Sequence, residues 1–247
     1  MTGSVLFSIV KRRLKVRAIK LRANALTSAT SSVARGSVIV AAALFSTTFA
    51  VRAANAPEAA KPVIVVLGDS ISAEYGLPRD TGWVALMRQR LTQERIDYSV
   101  ANASISGDTT SGGRARLPAL MQRLKPSIVI VELGANDALR GVPLSTTEDN
   151  LRTIIEQAQQ AHAKVVLVGM YVPPNYGPDY TQKFHGLYGQ LAKQLNVPLV
   201  PFLLAGIADK PDMFQADQIH PTQQAQPVLL NNVWPAVKPL LRTSSSH

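Results

Sequence analysis

Cysteine is absent from all 247 residues of this chain. Disulfide frameworks, thiol nucleophiles and thiolate metal sites are therefore excluded. Acidic residues are missing too, but only from one end. Residues 1–56 hold nine basic side chains (Lys11, Arg12, Arg13, Lys15, Arg17, Lys20, Arg22, Arg35 and Arg52) and no Asp or Glu. The formal net charge of +10 comes almost wholly from that segment, because 17 basic residues face 16 acidic ones in the remainder. A nearly neutral body offers no broad electrostatic footprint for DNA or RNA, and no nucleic-acid partner is expected. A long hydrophobic run is also lacking. The most apolar early stretch, Val38–Val51, is interrupted by Ser46, Thr47 and Thr48 and is short for a transmembrane helix.

The leader nevertheless has the order of a secretory signal: a basic region, an apolar run, then the small residues Ala53, Ala54 and Ala56. We expect residues 1–56 to be a leader removed near Ala53–Ala56, which places the protein in the periplasm or outside the cell. No stable membrane insertion is expected once the leader is gone. Residues 57–247 read as one domain, since no internal repeat or composition break divides them. Apolar residues near half of the chain and few aromatics fit a soluble α/β protein.

Within that domain, short apolar runs alternate with helical spacings. Val63–Gly68, Ser127–Leu133 and Lys164–Gly169 are nearly continuous runs of β-branched and aliphatic residues. Such runs suit strands buried on both faces of a parallel sheet. Tyr98–Ala101 and Pro198–Phe202 complete five strands, with helices predicted over Thr81–Glu94, Arg114–Leu124, Thr147–Ala163, Thr181–Leu195 and within Gln224–Leu241. The alternation predicts a mostly parallel sheet with helices on both faces.

Polar clusters follow the first three strands: Gly68-Asp69-Ser70, Gly107, and Gly134-Ala135-Asn136. In an open α/β sheet, ligands bind at the carboxyl ends of the strands, so these clusters should converge. Ser70, expected one residue past a strand and at the start of a helix, is the candidate nucleophile. Of the four histidines, His220 stands out, three residues after Asp217 and immediately before Pro221. A carboxylate at that spacing can turn back to hold one imidazole nitrogen, leaving the other for a serine. Asp69, Asp108 and Asp137 read as caps or loop hydrogen-bonders. No His/Asp/Glu grouping has convincing metal-ligand spacing, and no metal or cofactor is expected.

Gly68-Asp69-Ser70, Gly107, Gly134-x-Asn136 and Asp217-x-x-His220 occur in the order and approximate spacing of the four SGNH (GDSL) hydrolase blocks. The chain resembles that family over roughly residues 62–242, and within it the bacterial periplasmic thioesterase/lysophospholipase and arylesterase enzymes. The resemblance implies a three-layer, flavodoxin-like α/β sandwich around a central five-stranded sheet. It implies Ser70 as nucleophile, His220 as base and Asp217 as its orienter, with Ser70, Gly107 and Asn136 holding the oxyanion. It also implies a monomer that hydrolyses small-molecule acyl esters or thioesters. Ile71 stands where the family name implies leucine, a volume-conserving change. Two loops beside the site, Leu139–Leu144 and Tyr171–Tyr176, mix apolar residues with glycine or proline, and Leu139, Val142, Leu144 and Tyr176 are the expected acyl-groove residues. Two other readings stay open at this point: a polysaccharide acetylesterase, and a non-catalytic binding module on the same fold.

Overall fold

The computed structural model describes residues 61–172 and 174–241, and the expected leader lies outside them. Five strands form one sheet: β1 (Val63–Gly68), β2 (Ser99–Asn102), β3 (Ile128–Glu132), β4 (Lys164–Val168) and β5 (Leu199–Val200). Their order is β2-β1-β3-β4-β5, and every neighbouring pair is parallel. Each crossover therefore needs a helix, and the chain supplies them as α1 (Trp83–Gln93), α2 (Thr110–Leu124), α3 (Ala135–Leu139), α4 (Leu144–Gln160), α5 (Pro178–Gln194) and α6 (Gln226–Val237). α1 and α6 pack together on one face; α2, α4 and α5 form the layer on the other. The result is the expected three-layer α/β sandwich.

The central strands explain their own sequences. Ile64 to Leu67 and Ile128 to Val131 are wholly buried because helices cover both faces. Fully burying each such side chain contributes about 1.5–3 kcal/mol, so these runs anchor the fold. Trp83, Met87 and Leu91 of α1, Leu151 and Ile154 of α4, and Phe184 and Tyr188 of α5 fill the space above and below them. Among the described residues, no helix is long and apolar enough to cross a membrane.

Several boundaries differ from the sequence reading. β5 keeps only two residues, because Pro198 and Pro201 flank it and neither can donate to a ladder. α2 begins four residues early, where Thr109 caps it by accepting from Gly112 N–H. α4 begins at Leu144 rather than Thr147, with Pro143 at its N-cap and its carbonyl accepting from Thr146 and Thr147. The segment after Ser70 does not continue as a helix. It makes turns, in which Ala73 N–H donates to Asp69 C=O, and then meets left-handed residues at Glu74 and Gly76.

Candidate active site

Adjacent strands bring the three polar clusters to one edge. β1 ends at Gly68 and delivers Ser70; β2, its neighbour on one side, leads to Gly107; β3, on the other side, leads to Asn136 at the head of α3. Gly107 adopts a φ of +77°, a left-handed conformation that glycine takes without strain. Its carbonyl accepts from Arg140 Nη2 at 2.8 Å, which ties the β2–α2 loop to the end of α3. Gly68 is needed for a different reason. A Cβ there would lie 2.7 Å from Glu132 Oε2 and 2.8 Å from the Ser72 side chain.

His220 arrives from 150 residues further along the chain, on the loop before α6. Its Nε2 lies 2.8 Å from Ser70 Oγ, and its Nδ1 lies 2.7 Å from Asp217 Oδ2. With the proton on Nδ1, the ring donates to Asp217 and accepts from the serine hydroxyl. Asp217 Oδ1 also accepts from the backbone N–H groups of Ile219 and His220, at 3.0 and 3.1 Å. The His220 hydrogen bond first, and these two backbone donors next, lower the Asp217 carboxyl to a pKa of about 2. The carboxylate is thus ionised throughout the range in which a histidine works.

Two residues outside the sequence motifs hold the imidazole in place. The Tyr75 ring lies 4.4 Å from that of His220, tilted by 38°. Gln215 Nε2 donates to Tyr75 C=O at 2.8 Å and to Pro221 C=O at 3.2 Å, which clips the histidine loop to the turn that follows the serine. Neither had a local signal in the sequence, because each acts across the gap between two distant segments.

Beneath the serine lies a buried polar node. Glu132, at the end of β3, accepts from Asp69 N–H at 3.2 Å and from the Ser72 hydroxyl at 2.6 Å, and Trp83 Nε1 donates to Ser72 Oγ at 3.2 Å. Complete burial, and next the charge of Asp69, push the Glu132 carboxyl well above the usual carboxylate range. Its other oxygen is buried without a hydrogen-bond partner. A single carboxylate at the end of an apolar strand was the available clue. Asp69 is also buried; this raises its pKa to about 6 against the opposing pull of the Ile71 N–H donor and of His220. The expected loop roles hold for the other two acids: Asp108 accepts from Thr109 N–H and pairs with Arg116, and Asp137 accepts from Thr110 N–H.

A cavity of ≈ 190 Å³ opens at Ser70, with Gly107, Asn136, Tyr75, Leu139 and His220 in its walls. It continues past Ile71, Ala135, Leu139 and Ile219 into a cleft of ≈ 600 Å³ whose further walls include Met170, Val172, Phe202 and Phe214. Of the four expected groove residues, Leu139 lines this space and the other three do not. Val142 is half-buried in the turn between α3 and α4, and Leu144 opens α4 and packs on the core. Tyr176 stacks on Tyr180, with ring centroids 6.2 Å apart. The loop reading failed for Leu144 because Pro143 starts a helix there and turns that side chain inward. Among the described residues, no group of three or more His, Asp or Glu side chains could hold a metal ion.

Comparison with known proteins agrees with this geometry. Residues 66–226 match the GDSL-like Lipase/Acylhydrolase family. The chain is 52% identical over 184 residues to Esterase TesA of Pseudomonas aeruginosa, covering 74% of this chain and 92% of that protein. It is 41% identical over 187 residues to Thioesterase 1/protease 1/lysophospholipase L1 of Escherichia coli K12, covering 76% and 88% of the two chains. Among solved structures, the psychrotrophic esterase EstA from Pseudoalteromonas sp., inhibited by monoethylphosphonate, superposes with a TM-score of 0.69 at 39% identity, over 72% of this chain and 98% of that one. Fold, motif order and sequence identity agree: the chain belongs to the GDSL-like lipase/acylhydrolase family and is an ester-bond hydrolase.

Proposed function

We propose that the protein is a serine esterase/thioesterase that works through Ser70, His220 and Asp217 and binds the acyl chain of its substrate in the cleft beyond Ser70. The observation that carries this reading is the unbroken relay from Ser70 Oγ through His220 to Asp217, at 2.8 and 2.7 Å. A pure binding module needs no base within hydrogen-bond reach of a hydroxyl.

In the proposed cycle, Ser70 Oγ attacks the acyl carbonyl carbon while His220 Nε2 takes the hydroxyl proton. Asp217 stabilises the resulting imidazolium. The negative charge on the carbonyl oxygen falls to the backbone N–H groups of Ser70 and Gly107 and to the Asn136 side chain. Collapse expels the alcohol or thiol, which leaves with the proton from His220 and gives acyl-Ser70. Water, deprotonated by His220, then attacks the same carbonyl; collapse releases the carboxylic acid, and the proton returns to Ser70.

The apolar rim supports acyl substrates rather than acetylated sugars. The large exposed apolar side chains of the described residues are Tyr75, Ile105, Leu139, Tyr171, Tyr176 and Ile219. Four of these, Tyr75, Leu139, Tyr171 and Ile219, line the Ser70 cavity or the cleft beyond it. Each methylene buried there contributes up to about 0.8 kcal/mol, so kcat/KM should climb from acetyl towards medium-chain p-nitrophenyl esters. The same assay tests the proposal. An enzyme fastest on acetyl esters and active on acetylated sugars would replace it with the acetylesterase reading, and fluorophosphonate labelling at a serine other than Ser70 would overturn the nucleophile.

We also propose that residues 1–56 export the enzyme to the periplasm and are removed near Ala53–Ala56. The charge order of the segment supports this. N-terminal sequencing of the protein from its native host tests it, and a mature cytoplasmic chain starting at Met1 would sink it.

A further inference from the structure

The cleft shares part of its wall with a second cavity. That second cavity, of ≈ 540 Å³, is lined by Tyr171, Pro178, Thr181, Gln182 and His185. Tyr171 and Thr181 also line the cleft, so they form the wall common to both. The Tyr171 ring is held from two directions. The imidazole of His185, on the side of the second cavity, stacks on it with centroids 3.6 Å apart and planes 14° from parallel. Phe202, in the cleft wall, meets it at 84° with centroids 4.8 Å apart. Such aromatic pairs favour these two geometries, and together they fix a ring that is 43% exposed. His185 is itself tethered, its Nδ1 lying 3.4 Å from Met170 C=O.

The chemistry of the wall changes at the same place. Met170, Val172 and Phe202 give way to Thr181, whose buried hydroxyl oxygen has no hydrogen-bond partner.

We propose that Tyr171, clamped between His185 and Phe202, is the partition that ends the acyl cleft and sets the longest acyl chain the enzyme accepts. The inference rests on the acyl-cleft reading above. It assigns Tyr171 as a specificity-determining residue and His185 as the residue that positions it; neither touches the reacting atoms. Removing the ring takes away its part of the shared wall, leaves Thr181 as the remainder, and opens the cleft towards the second cavity.

The experiment measures kcat/KM of the full-length enzyme on p-nitrophenyl esters of increasing acyl length, each expressed relative to the acetyl ester. For Tyr171→Ala, the ratio for esters just beyond the wild-type optimum should rise about tenfold, as expected from roughly two more buried methylenes. His185→Ala, which frees the ring, should move the optimum in the same direction by less. Tyr171→Phe and His185→Phe, which keep the stack, should keep the wild-type optimum. A wild-type profile that climbs and then falls, with Tyr171→Ala superimposed on it or lowered equally at every length, overturns the partition alone. A wild-type profile without a climb overturns the acyl-cleft reading and the partition with it.

Discussion

Asn136 Nδ2 donates to Asp69 Oδ2 at 3.1 Å, so the amide beside Ser70 is anchored by the residue immediately before the serine. One N–H of that amide is committed to the carboxylate, and its direction fixes where the other N–H points. The anchor is costly, because Asp69 is buried and its carboxyl is raised from 3.8 to about 6. An acid whose pKa is higher in the fold than in the unfolded chain destabilises the native state when ionised. That penalty is complete above pH 6, shrinks as the pH falls through 6, and vanishes below 3.8.

Asp69→Asn should therefore raise the unfolding free energy near neutral pH by about 1–3 kcal/mol and change it little near the pKa of a free aspartate. Activity should move the other way. An asparagine can still accept from Ile71 N–H, but then turns its own amino group towards Asn136, and kcat should fall by roughly 10–100-fold. Thermal or urea unfolding at the two pH values, beside a kcat measurement, checks both halves. A variant less stable at neutral pH would contradict the account.

Asn136→Ala removes the proposed side-chain donor of the oxyanion hole. kcat should fall by about 10²–10³-fold with KM nearly unchanged, the pattern of an interaction made in the transition state. A raised KM with kcat intact would instead mark Asn136 as a ground-state binding residue.

Ser70→Ala and His220→Ala should each abolish most turnover, and the double variant should lose little more, because nucleophile and base act as one unit. Asp217→Asn should cost less than either. Losses that multiply in the double variant would show two independent roles.

Gln215→Ala tests the clip between the histidine loop and the turn after the serine. It removes donors to Tyr75 C=O and Pro221 C=O without touching the imidazole. The expected effect is a fall in kcat of about tenfold with the fold retained, since a small misplacement of a catalytic group is expensive. Gln215→Glu, which supplies no amide donor, should resemble the alanine variant; full activity in both would leave the clip without a function.

The strands were legible because burial on both faces forces continuous apolar runs, and β1, β3 and β4 fall almost where those runs lie. Ser70, Asp217 and His220 were legible because a motif keeps local spacing. α3 was not, since five residues between Gly134 and Arg140 are too few to show a helical period. Glu132 passes unremarked inside the apolar run Ser127–Leu133, yet it supports the turn on which Ser70 sits. Leu144 and Val142 show the opposite error: apolar residues near a proline look like an exposed groove until the start of a helix decides which way each one faces.

Ser70 and His220 stand 150 positions apart in the chain, which bears on the order in which the site is assembled. A ribosome releases the chain from its N-terminus, and β1, β2 and β3 can assemble the serine and its neighbours from consecutive βα units. Asp217 and His220 come later, on the loop that leads into α6, and α6 packs against α1. On the proposed triad, Ser70 has no base until His220 is in place. On that reading the site is completed by the C-terminal third of the domain, and a chain lacking it carries the serine without its relay.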